Sequence, residues 1–140
     1  MQGYPKFARC DEELFEVNGV HIEVNPVLIA KKDGLLTLGF GKGLVELCNQ
    51  VKEKGSLNKA ALEMGMSYSK AWHIIRNAEE ILGVNLLQRN GAKGSTVTKE
   101  AQELISSYNI MQEQLSGEAA VMALKMIDRI HECSRQSQSS

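Results

Sequence analysis

Three successive stretches of the chain place apolar residues at helical spacing. Leu44, Leu47, Cys48 and Val51 fall at i, i+3, i+4 and i+7, which predicts a helix over 43–54 with these four on its inner face. Cys48 then reads as a small core residue rather than a nucleophile. A second helix begins at Leu57, behind Ser56. A serine hydroxyl there can accept a hydrogen bond from an unpaired amide of the first turn. Met64, Gly65 and Met66 form a tight turn, with Gly65 free to take positive φ. The third helix restarts from Ser67 and runs to Leu82, and Gly83 stands where a left-handed cap is expected. Its apolar stripe is Ala71, Ile75, Ala78 and Leu82, while Tyr68, Ser69, Trp72, His73 and Arg76 lie on the opposite side. Two helices joined by a short glycine turn make a helix-turn-helix unit, whose second helix can enter a DNA major groove. The reading side has no carboxylate before Glu79 and Glu80, which lie away from a duplex met by the N-terminal end. The positive end of the helix dipole then faces the phosphates.

Elsewhere the period shortens towards two. Residues 14–24 alternate in part around Asn18 and Gly19, a hairpin signal. Pro26 interrupts. Residues 27–32 and 35–38 read as a second pair of strands around Asp33 and Gly34. The glycines Gly39, Gly41 and Gly43 lack the spacing of a phosphate loop and read as a flexible lead-in to the first helix. Beyond Gly83, residues 84–89 and 95–97 are short strands around a polar loop, with Arg89 at its base and Lys93 near its tip. A helical triad followed by a small antiparallel hairpin is the winged-helix plan.

Thr98 caps a long helix, and Glu100 in its first turn suits the dipole. Ala101, Leu104, Tyr108, Met111 and Leu115 repeat at three and four, a heptad-like seam. Gly117 is expected to break it, with Ala119, Met122, Met126, Ile127 and Ile130 resuming on a shifted phase, giving helices over 98–116 and 118–132 that are distinct or joined at a kink. A long amphipathic helix exposes too much apolar area to remain single. Leu104, Tyr108, Met111, Leu115 and Met122 are therefore the expected dimer interface. Two-fold pairing would set two recognition helices one or two duplex turns apart, each turn being ~34 Å. The fold class is mainly α with an α+β element: a winged helix-turn-helix with an N-terminal β-hairpin and a long C-terminal dimerisation helix. Residues 1–13 form a flexible leader, 14–98 the winged-helix domain, 99–133 the helical dimerisation segment and 134–140 a disordered tail.

Charge sharpens this picture more than composition does. The net charge of the 140 residues is −1, unpromising for a nucleic-acid partner. Its distribution is uneven: residues 56–99 hold Lys59, Lys70, Arg76, Arg89, Lys93 and Lys99 against Glu63, Glu79 and Glu80, while the N-terminal flank is close to neutral and the C-terminal flank is acidic. No run of apolar residues is long enough for a membrane helix, and the first residues lack a signal core. Cys10, Cys48 and Cys133 are few and scattered, which suits a reducing cytoplasm. A metal site drawn from Cys10, His21, His131 and Cys133 lacks ligand spacing, so no metal or other cofactor is expected. No nucleophile elbow, paired-carboxylate signature or zinc-hydrolase motif points to an enzyme.

Residues 55–104 resemble the DNA-binding domain of LysR-type regulators, and more closely that of the molybdate-responsive (ModE) regulators. The residues that carry the likeness are Gly55, Ser56, Ala60, Ala61, Met66, Ser67, Tyr68, Ala71, Trp72, Leu86, Arg89, Val97 and Thr98. The string GMSYSKAW is especially like the ModE type, and the hairpin around KKDG resembles the short sheet that precedes the first helix there. The likeness covers roughly 25–115 and implies a winged helix whose following long helix pairs with its twin in a homodimer. The ModE type continues into oxyanion-binding modules, of which SGEAAVMALKMIDRIHECSRQ shows no trace, and Ala101 stands where LysR-type chains have glycine. The resemblance thus extends to DNA binding and not to molybdate sensing.

On this reading Ser67, Tyr68, Ser69 and Lys70 meet phosphates, Trp72 and His73 face the groove, and Arg76 takes a phosphate or a guanine edge. Arg89 and Lys93 touch the flanking backbone. The expectation is a cytoplasmic, homodimeric transcriptional regulator on double-stranded DNA, its small-molecule effector unspecified. The rival is a winged-helix protein-interaction module or small-anion sensor without DNA binding.

Overall fold

A computed structural model describes residues 16–17, 19–36 and 39–138. The expected leader over 1–13 lies outside these. The chain divides into two compact units, residues 26–108 and residues 1–25 with 109–140.

Within the 26–108 unit, the hydrophobic stripes become a helical triad: α1 (Lys42–Lys54), α2 (Leu57–Glu63) and α3 (Tyr68–Leu82). Leu44, Leu47, Cys48 and Val51 of α1 are buried, as the spacing predicts. Helix α1 packs against α2 and α3, whose buried residues are mostly small: Ala60 and Ala61 of α2, and Ala71 and Ala78 of α3. Small side chains at contacts let helix axes approach closely. Ser56 accepts a hydrogen bond from the Lys59 amide at 3.2 Å, and Ser67 from the Lys70 amide at 3.1 Å. Gly65 and Gly83 take φ of 68° and 70°, which ends one helix before the next element starts.

The α3 stripe is one residue shorter than its period implies. Ala71, Ile75 and Ala78 are fully buried, but Leu82 is 37% exposed. After the Gly83 reversal the chain returns Leu86 to the core instead, and Leu86 is fully buried. The strand expected from Val84 begins three residues later, at Leu87, and the Leu86 and Leu87 amides turn to a side chain instead. Glu79 Oε2 accepts from them at 2.7 and 3.4 Å.

Strands β5 (Leu87–Arg89) and β6 (Ser95–Val97) pair antiparallel, Leu87 opposite Val97 and Arg89 opposite Ser95. A 3₁₀ turn over Gly91–Lys93 forms the tip. The hairpin is tied to the end of α1: the Ser95 amide donates to the Gly55 carbonyl at 3.0 Å. A Cβ on Gly94 would fall 2.2 Å from that oxygen, so only glycine permits the approach.

The hairpin expected over 27–38 is reduced to β3 (Lys31–Lys32) and β4 (Leu35–Leu36), turned by Asp33 and Gly34 at φ 53° and 78°. Nearer α1 the two arms rejoin through paired Leu28 and Phe40 amides and carbonyls at 2.8 and 2.9 Å. A Cβ on Gly39 would lie 1.8 Å from the Leu28 carbonyl oxygen. This part of the glycine segment is a close backbone crossing, not the flexible lead-in that its composition suggested.

The second unit holds β1 (Glu16–Val17) and β2 (Val20–His21), paired as expected around Gly19, and most of the last helix. Val24 donates its amide to Ser116 Oγ at 2.9 Å. Gln112 Nε2 donates to Glu23 Oε1 at 3.3 Å and to Asn25 Oδ1.

That helix, α4 (Lys99–Gln138), is continuous, which corrects two expectations. Gly117 does not break it, and 134–138 form its last turn rather than a disordered tail. A lone internal glycine costs only ~1 kcal/mol against alanine, and Glu118, Ala119, Ala120, Met122 and Ala123 are good helix formers.

Candidate nucleic-acid interface

Burial of Ala71, Ile75 and Ala78 fixes the rotation of α3. It leaves Ser67, Tyr68, Ser69, Lys70, His73 and Arg76 exposed, with Trp72 half-buried. The Ser67 cap occupies the Lys70 amide, and the first turn of α3 has no acidic residue. Anions are favoured at such an end by the helix dipole.

Among the described residues, no carboxylate pairs with Lys70, His73, Arg76, Arg89 or Lys93. The carboxylate that the stripe would place nearest, Glu79, is turned inward onto the Leu86 and Leu87 amides. This role left no mark in the hydrophobic pattern. It could have been found only from the reversal at Gly83, which brings the next segment back beside α3.

Four of the expected contact residues are brought into one cluster. The Arg89 guanidinium carbon lies 4.1 Å from the Trp72 ring centroid, and Arg89 Nη2 donates to the Tyr68 hydroxyl at 3.1 Å. Arg76 lies over the same ring at 5.8 Å. Such cation–π contacts hold a guanidinium without neutralising it. Sequence reading placed Arg89 at the hairpin base and Trp72 on the helix, but not in contact. Lys93 stands on a separate element, exposed at the hairpin tip, where the Asn90 amide donates to Gly94 O at 2.8 Å.

The expected dimer residues separate into two kinds. Tyr108 is buried, its hydroxyl donating to the Pro26 carbonyl at 2.7 Å. It is therefore core, which corrects its assignment to an interface. Leu104 and Met111 are half-buried, while Leu115 and Met122 are 38% and 69% exposed. Met126 and Ile130 continue the exposed row.

Cys48 is sealed in the core. Burial, and secondarily the Glu79 charge, push its thiol up to about 12. It is thus a neutral packing group at ordinary pH, as its position on the α1 stripe implied. Among the described residues no three His, Cys, Asp or Glu side chains group as metal ligands, and no helix is long and apolar enough to cross a membrane.

The capped helix pair, the exposed basic side of its second helix and the adjoining hairpin define a winged helix-turn-helix unit. Residues 43–102 match the family model of bacterial regulatory helix-turn-helix proteins of the lysR family. The chain is 36% identical over 78 residues to the HTH-type transcriptional regulator CrgA of Neisseria meningitidis, in serogroup B and serogroup C strains. That likeness covers 56% of this chain but 26% of the relative, so the chain spans about a quarter of those proteins. Among solved structures, a CbnR_DBD–DNA complex is 22% identical with a TM-score of 0.41, covering 69% of this chain and 95% of that one. CrgA from Neisseria meningitidis, described as a LysR-type transcriptional regulator, is 31% identical with a TM-score of 0.40, covering 61% of this chain and 29% of that one.

Proposed function

We propose that this chain is a sequence-specific DNA-binding transcriptional regulator, acting as a cytoplasmic homodimer and not as an enzyme. One observation carries the reading. A Ser67-capped helix presents Lys70, His73 and Arg76 to solvent, Arg89 and Lys93 flank it, and no carboxylate of the described residues pairs with them. The names of its CrgA relatives support it. In this reading α3 enters the major groove and Lys93 touches the flanking phosphates. The exposed row Leu115, Met122, Met126 and Ile130 seats the same row of a second copy. The finer likeness to the molybdate-responsive type rests on the string GMSYSKAW and the hairpin around KKDG.

The test is a selection of bound duplexes from random DNA, followed by affinity measurements over a salt series. Electrostatic binding falls steeply with salt, and each lost phosphate contact lowers the slope of log K against log salt by ~0.9. Lys93→Ala should lower that slope by about one contact across all sequences. Arg76→Ala should weaken binding more, and should relax sequence preference if it meets a base edge. Recovery of no preferred duplex at low salt would refute the reading.

A further inference from the structure

Tyr68, Trp72 and Arg76 follow one another at four-residue steps and so form one row along the exposed side of α3. Arg89 reaches this row from β5. Its guanidinium lies against the Trp72 ring at 4.1 Å and spends one nitrogen on the Tyr68 hydroxyl at 3.1 Å. Arg76 lies over the same ring at 5.8 Å. Both partners of Arg89 are uncharged, so its full charge stays available to an outside anion. A guanidinium has five N–H donors, and the donors not spent on the Tyr68 hydroxyl are left for that anion.

We propose that Trp72 is a positioning residue of the DNA interface. Its ring carries Arg89, and more loosely Arg76, and holds the Arg89 guanidinium beside the N-terminal half of α3, at the mouth of the groove that helix enters. Trp72 reads no base itself. A long arginine held in advance loses less freedom when it binds phosphate, so the ring contributes affinity without touching the ligand. This inference rests on the DNA-binding reading and deepens it by dividing the face into residues that contact DNA and one that aims them.

The full chain carries a single tryptophan, so its fluorescence reports the stack directly. In the free protein, Arg89→Ala should move Trp72 emission to longer wavelength as the ring face meets water. An unchanged spectrum would overturn the stack. The binding arm uses a duplex recovered by the wild-type chain from a random pool, with affinities measured at one low salt concentration. Trp72→Ala and Arg89→Ala should each weaken binding by roughly tenfold, and the double variant by little more than either alone. Trp72→Phe, which keeps a flat ring and guards against misfolding of the alanine variant, should restore most of the affinity. Multiplicative losses in the double variant, or Trp72→Phe binding as weakly as Trp72→Ala, would overturn the positioning role while leaving DNA binding intact. Recovery of no duplex by the wild type would instead remove the DNA-binding reading, and this inference with it.

Discussion

The Glu79 carboxylate accepts the Leu86 backbone amide at 2.7 Å, joining the last turn of α3 to the start of the wing. The same oxygen lies 3.4 Å from the Leu87 nitrogen, so one charged acceptor serves two successive amides at the entry to β5. Hydrogen bonds to charged groups contribute more than neutral ones, ~1.5–3 kcal/mol, and buried amides left unmet cost about as much. Glu79→Ala should therefore destabilise the fold by about 2–3 kcal/mol in urea denaturation. Glu79→Gln keeps a neutral acceptor and should cost about half as much. Because this carboxylate is turned away from the exposed side of α3, Glu79→Gln should leave DNA affinity nearly unchanged. A large gain in affinity would mean that Glu79 opposes the phosphates directly.

Glu79 also bears on the Cys48 thiol. Burial first, and the Glu79 charge second, raise that thiol from 9.0 to about 12. Between these values an unfolded chain loses the Cys48 proton while the folded chain keeps it. The unfolded state then binds fewer protons, so stability falls as pH rises through this window, with a slope approaching ~1.4 kcal/mol per pH unit. More than about two pH units below 9 the thiol contributes almost no pH dependence. Cys48→Ala should start from a lower stability, because it opens a cavity, and should lose that share of the alkaline slope. Denaturation midpoints of both chains from neutral pH to pH 11 make the comparison.

Local devices were the most legible part of this fold. Ser56, Gly65, Ser67 and Gly83 each fix a boundary through chemistry within four residues of themselves, and each boundary falls where the spacing places it. Relationships that depend on distant chain were less so. Tyr108 sits on a heptad-like row, and such a row looks the same whether its own domain or a second copy covers it; the Pro26 carbonyl decides, from 82 positions away. Gly117 looked like a break because glycine is a poor helix former, but ~1 kcal/mol is small against the flanking turns. The contact between Trp72 and Arg89 depends on how the hairpin folds back, which no periodicity encodes.

Two wing glycines separate backbone conformation from space. Gly91 and Gly94 both have positive φ, but a Cβ on Gly91 meets nothing within 4 Å, whereas one on Gly94 falls 2.2 Å from the Gly55 carbonyl oxygen. Gly91→Ala should cost ~1–2 kcal/mol, the ordinary penalty of left-handed backbone. Gly94→Ala should cost about 3 kcal/mol or more, since it must also break the Ser95–Gly55 hydrogen bond. Urea unfolding of the two variants gives the difference. Equal losses would mean that the wing can lift from α1 freely.

The division of the long helix into buried and exposed rows leads to the last expectation. Tyr108 donates to Pro26 from inside its own unit, whereas Met122, Met126 and Ile130 stand in solvent farther along the same helix. A hydroxyl that serves the core should affect folding and not association. Tyr108→Phe should cost about 1 kcal/mol of stability by leaving the Pro26 carbonyl unpaired, with no change in the concentration at which copies associate. Met122→Glu should do the reverse. It adds a charge to an exposed helical position, where folding changes little, but two-fold pairing would bury it opposite its own copy without a partner. Sedimentation velocity over a dilution series should then show wild type and Tyr108→Phe as dimers, and Met122→Glu as a monomer at the same concentrations. If Tyr108→Phe dissociates and Met122→Glu does not, the exposed row is not the seam, and pairing must run through the half-buried residues Leu104 and Met111.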